Sequence, residues 1–108
     1  MSRSDEELVR DALEHIEILK MHLARGDMEQ IVIADAVNMR LSAAIESISQ
    51  TSPEFRDSYF SDEWQLMKAT RNRISHGYSF VDQDIISKTI VNRLPRVEAT
   101  LRTALSEF

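Results

Sequence analysis

Apolar residues recur at intervals of three and four along most of this 108-residue chain, the spacing that gathers them on one face of an α-helix. Ser4 followed by Glu7 has capping-box form, which satisfies the free amides at a helix start. Leu8, Ala12, Leu13, Ile16, Leu19 and Leu23 follow in register, and Gly26 offers a stop, since glycine takes the left-handed conformation cheaply. A second stripe of Ile31, Ala34, Val37, Leu41, Ala44, Ile45 and Ile48 predicts a helix from about Met28 to Ser49, with Arg40, Glu46 and Gln50 off it. Thr51-Ser52-Pro53 ends that element. Ser52 as N-cap and Pro53 in the first helical position open a short helical turn through Phe55, and Tyr59 and Phe60 lid the core.

Asp62 followed by Gln65 is a second capping-box variant, starting a helix that carries Trp64, Met67, Arg71, Ile74 and Ser75 and stops at Gly77. Asp82 or Asp84 begins the last helix, with Ile86, Ile90, Leu94, Val97, Leu101 and Leu105 in register. Pro95 falls inside that pattern and must kink or split it, because it removes a backbone donor and clashes with the preceding turn. Met21, Met28, Met39 and Met67 fall where flexible core fillers belong, and Trp64 reads as a buried anchor. The pattern predicts an all-α antiparallel four-helix bundle with one extra short helical turn and a kinked last helix. At this length it is one domain, residues 1–108.

Composition narrows the chemistry. Two Gly and two Pro are too few for the turns of a β-sandwich, and the absence of Cys excludes disulfides, thiolate catalysis and Cys-based zinc sites. The polar, acidic start from Met1 to Glu7 carries no signal-peptide stretch, and no apolar run approaches the ~18 residues of a membrane span. A cytoplasmic protein is expected. The acidic stretch Asp5-Glu6-Glu7 suits the positive end of the first helix. His15 and His22, seven residues apart, read as solvated or boundary side chains rather than metal ligands.

The net charge of −5 argues against non-specific nucleic-acid binding. Charge position says more. No acidic residue occurs from Trp64 to Val81, where Lys68, Arg71 and Arg73 form a positive island suited to a focused phosphate site.

That island contains Arg71-Asn72-Arg73-Ile74-Ser75-His76-Gly77-Tyr78, or R-x-x-x-x-H-x-Y, at a helix end. RNA is cut without metal when its own 2′-hydroxyl attacks the adjacent phosphate. The reaction needs a group that moves protons, which histidine does near neutral pH, and a cation for the pentavalent phosphate, which a guanidinium supplies through two oxygens. His76 and Arg71 fit these roles. Five helical residues separate them by roughly 140° in azimuth, so they converge only if the helix unwinds near Gly77 or if a second copy completes the site. The same two residues also suit a plain helix C-terminus, where cations favour the dipole.

The stretch from Trp64 to Tyr78, with Trp-x6-Arg-Asn-x-x-x-His-x-Tyr at its heart, resembles the HepT-like branch of the HEPN superfamily. Asp82, the Ile85-Ile86 pair, Leu94-Pro95 and the overall layout resemble it too. The resemblance implies a homodimeric helical bundle acting as a metal-independent endoribonuclease toxin, without cofactor, through a site composed from both subunits. It further implies an MntA-like nucleotidyltransferase antitoxin that transfers AMP to the motif tyrosine, here Tyr78. Arg71 and His76 are then catalytic, and Asn72 orients His76 or contacts substrate; Lys68 and Arg73 match no catalytic role in that family and are expected to contact phosphate. The alternative is a non-catalytic HEPN module that binds and regulates a partner nucleotidyltransferase.

Overall fold

The computed structural model describes residues 3–76 and 82–108, so the expectations placed on Gly77 and Tyr78 lie outside the described residues. Ser4 caps the first helix as its spacing predicts: its Oγ accepts from Glu7 N at 3.1 Å and donates to Glu7 Oε1 at 3.2 Å. This helix, α1, spans Asp5–Leu23, and α2 spans Ile31–Ser49. Ser52 caps the short α3, Pro53–Tyr59, accepting from Phe55 N. The motif helix α4 is Glu63–His76. The expected last helix is two: α5, Gln83–Asn92, and α6, Leu94–Glu107. Pro95 sits in the first turn of α6, where its missing amide costs nothing. Asp82 caps α5 by accepting from Asp84 N and Ile85 N. Among the described residues every regular element is an α-helix, in a bundle arrangement.

α1 packs on α2 and α6, α2 on α4, and α5 on α6. Val9, Ile16, Leu19, Val37, Ile48, Ile86 and Leu101 are almost wholly buried, and the core forms one cluster. Phe60 is buried and Tyr59 packs beside it, so the two lid the core. Trp64 is half-buried, with the Arg56 guanidinium 5.3 Å above its ring.

Three readings of the pattern need correction. α1 ends at Leu23 with Ala24 in a right-handed conformation, and Gly26 has no positive φ. Ser61 instead takes the left-handed turn, φ 47°, between α3 and α4. Ile31 is 76% exposed, and Ile33 occupies the buried stripe of α2 in its place. Met21 and Met39 are exposed rather than core fillers, whereas Met67 is buried.

The first turn of α1 also does more than complement a dipole. Asp5 accepts from Ser52 N at 2.9 Å and from Ser52 Oγ at 2.8 Å, joining the start of α1 to the cap of α3. At the other end of α1, Lys20 and Glu17 meet Glu98 and Arg102 of α6, with Lys20 Nζ 2.8 Å and Arg102 Nη2 2.9 Å from Glu98 Oε2. The hydrogen bond from Lys20 holds the Glu98 carboxyl below its ordinary range, against the opposing effect of burial and with help from Arg102. A folded value below the unfolded one stabilises at pH above about 4.3 and is lost as pH falls through the folded value. Glu98→Gln is therefore expected to cost about 0.5–1 kcal/mol at neutral pH. Thermal melts of parent and variant should converge only as pH falls through the lowered folded value.

Among the described residues, no helix is long and apolar enough to cross a membrane.

Candidate functional site

α4 is amphipathic in a lopsided way. Only Met67 and Ile74 are buried, Trp64 is partly covered and Leu66 is 44% exposed, and most of the remaining surface is polar. Met67 and Ile74 lie seven residues apart, two turns along one line. Arg71 flanks that line by about 40° on one side and Thr70 by about 60° on the other. Arg71 accordingly leans onto α2. Its side chain is 23% exposed, and its Nη1 donates to Glu46 Oε2 at 2.8 Å. Its Nη2 also reaches Asn72 Oδ1 at 3.4 Å.

His76, the last residue of α4, is exposed, as are Lys68, Asn72 and Arg73. The helix stays regular through His76, so within one chain Arg71 and His76 lie on different sides of it. Arg73 and His76 both fall in its last turn, where positive charge suits the helix dipole. The structure thus brings Arg71 beside Asn72 and Glu46 and leaves Lys68, Arg73 and His76 facing outward.

Glu46 was not foreseen as part of this site. Its position off the apolar stripe of α2 marks it as outward-facing, but only the packing of α2 on α4 identifies which cation it meets. A phosphate approaching Arg71 finds that carboxylate already there, and has to share the guanidinium fork or displace Glu46 from it. About two turns before Glu46 on α2, Asn38 is buried with its Oδ1 unbonded among the described residues, while its Nδ2 donates to Gln83 Oε1 at 3.4 Å. No three His, Cys, Asp or Glu side chains among the described residues gather as a metal site.

The chain matches the profile of the family described as ribonuclease HepT-like over residues 9–104, and it belongs to that family. No match was found among curated proteins or among solved structures.

Proposed function

We propose that this protein is a metal-independent endoribonuclease toxin of a prokaryotic toxin–antitoxin pair, acting as a homodimer through a site made by two R-x-x-x-x-H-x-Y motifs. The observation that carries the reading is the regular course of α4 through His76 in a member of a ribonuclease family. One chain holds its arginine and histidine apart, so a working site takes Arg71 of one protomer and His76 of the other. The outer surface of α2 fits such pairing. Val32 and Met39 are 79% and 71% exposed, and they share with Glu46 a line of seven-residue steps that leads to Arg71. Burying that apolar line against a second copy would draw the two motif helices together.

In the proposed reaction the 2′-hydroxyl oxygen attacks phosphorus and the bond from phosphorus to O5′ breaks. His76 of one protomer takes the 2′-hydroxyl proton, and the departing O5′ takes a proton from solvent. Arg71 holds the non-bridging oxygens as their charge grows. The products are a 2′,3′-cyclic phosphate and a 5′-hydroxyl. Lys68, Arg73 and Asn72 contact the flanking backbone. Inactivation follows when the Tyr78 hydroxyl attacks the α-phosphorus of ATP on a nucleotidyltransferase partner, releasing pyrophosphate. The attached AMP adds bulk and negative charge where the RNA phosphate must sit.

One observation favours the second reading, a non-catalytic module that regulates a nucleotidyltransferase: Glu46 occupies Arg71 at 2.8 Å. Incubating partner-free protein with single-stranded RNA in EDTA separates the two. Cleavage leaving cyclic-phosphate ends is the expected result. Intact RNA from a folded dimer with unmodified Tyr78 would favour the module.

A further inference from the structure

The chain is acidic overall, yet its free positive charge is unevenly placed. Arg3, Arg10, Lys20, Arg71, Arg93 and Arg102 each lie within 4 Å of a carboxylate. Arg40 contacts His15, and Arg56 is engaged with the carbonyls of Ser49 and Thr51. Among the described residues, and apart from Arg25, the cations left over are Lys68 and Arg73 on α4, Lys88 on α5 and Arg96 on α6. The last two share a groove.

This groove, about 350 Å³, is lined by Ile85, Lys88, Thr89, Asn92, Arg93 and Arg96, with no carboxylate among its lining residues. Arg93 is already tied to Glu63 Oε1 at 3.3 Å and holds α5–α6 to the start of α4. Lys88, Asn92 and Arg96 are exposed and follow one another at four-residue steps across the Pro95 junction. Thr89 spends its hydroxyl proton on Ile85 O at 2.9 Å, which leaves its oxygen free to accept. Ile85 adds a 40% exposed apolar edge. The groove thus offers an ammonium, a guanidinium fork and an amide side by side with one apolar contact.

These groups match a ribose–phosphate backbone. Lys and Arg bind phosphate oxygens, and an amide bonds the 2′-hydroxyl. Among the described residues no aromatic side chain lines the groove to stack on bases, and the described contacts fit the chain of phosphates without regard to sequence. Elsewhere the acidic surface repels RNA, which concentrates the attraction here and at the motif. We propose that the α5–α6 groove, through Lys88, Asn92 and Arg96, binds single-stranded RNA backbone away from the reacting phosphate. The proposal rests on the ribonuclease reading and extends its substrate contacts beyond the motif helix.

The test is fluorescence anisotropy with a labelled single-stranded RNA 20-mer, using full-length protein carrying His76→Ala so that the RNA stays intact. The double variant Lys88→Ala/Arg96→Ala is added in that background, and circular dichroism checks its fold. Both side chains are exposed, so the fold should persist. Binding should weaken about five- to twentyfold at low salt, and the salt slope should fall by about 1.4, two contacts at about 0.7 each for a single strand. In the His76-bearing chain, Lys88→Ala/Arg96→Ala should lower kcat/KM on the 20-mer while leaving cleavage of a dinucleotide unchanged. Unaltered affinity and slope in the double variant would overturn the groove, and with the parent still cutting RNA the ribonuclease reading would stand. If the parent cuts nothing yet binds RNA through Lys88 and Arg96, the ribonuclease reading falls and the groove stands. RNA bound by neither protein overturns the groove.

Discussion

Replacing His76 by alanine is expected to slow RNA cleavage by about 10²- to 10⁴-fold, the usual range for losing a general acid–base group. The fold should survive. His76 is the exposed last residue of α4, and surface substitutions of this kind usually change stability by no more than about 0.5 kcal/mol. A composite site sharpens the expectation. Mixing His76→Ala protein with Arg71→Ala protein should restore part of the activity, because some heterodimers then carry one intact pairing of arginine and histidine. Arg71→Lys should recover little, since an ammonium lacks the planar fork that holds two phosphoryl oxygens. Single-turnover rates on one RNA decide the matter. A His76→Ala protein that cuts at the parental rate would remove His76 from the chemistry altogether.

The second large effect concerns the core. Leu101 of α6 is 0% exposed in the central apolar cluster. Leu101→Ala should cost about 2–5 kcal/mol through lost transfer energy and the cavity left behind. That is a large share of the roughly 5–15 kcal/mol that holds a domain folded. Urea unfolding should show it as a lower midpoint with the slope little changed. Met39→Ala is the informative contrast. With 71% of Met39 exposed, its truncation should cost no more than about 0.5 kcal/mol in the monomer. A large loss that persists in the monomer would contradict the packing of α2.

Local signals were the most legible. Ser4 with Glu7, Ser52 with Pro53, and Asp82 act as helix starts just where their side chains can reach free amides. Pro95 divides α5 from α6 because a ring without an amide proton is tolerated in a first turn and not in a helix interior. Periodicity also found the buried faces of α1 and α6. It failed where position along the helix matters as much as azimuth. Ile31 keeps the spacing of its stripe but lies in the first turn of α2, and 76% of it stays exposed. Gly26 looked like a terminator, yet α1 had already closed through Ala24 N donating to Lys20 O at 3.0 Å.

For the candidate site, Lys68, Arg71, Asn72, Arg73 and His76 were legible as one basic stretch of a single helix. Their division between its two sides followed from helical rotation. Glu46 and Asp5 were not legible as partners, because Glu46 with Arg71 and Asp5 with Ser52 meet across 25 and 47 residues of sequence. Spacing within a single helix carries no trace of such pairs. The α5–α6 groove likewise needs the three-dimensional arrangement to reveal which cations lack a carboxylate.

The light anchoring of the motif helix has an energetic consequence. α4 buries only Met67 and Ile74, and α5 only Ile86 and Ile90, whereas α1 buries six side chains from Leu8 to Leu19. Apolar burial is the main source of cooperativity, so α1, α2 and α6 form the part that must unfold together. The more lightly anchored α4 and α5 are able to open at a lower cost than global unfolding. A protein arranged this way can change the chemistry on its outer helices without endangering its fold. Evolution can vary the site while the scaffold stays the same.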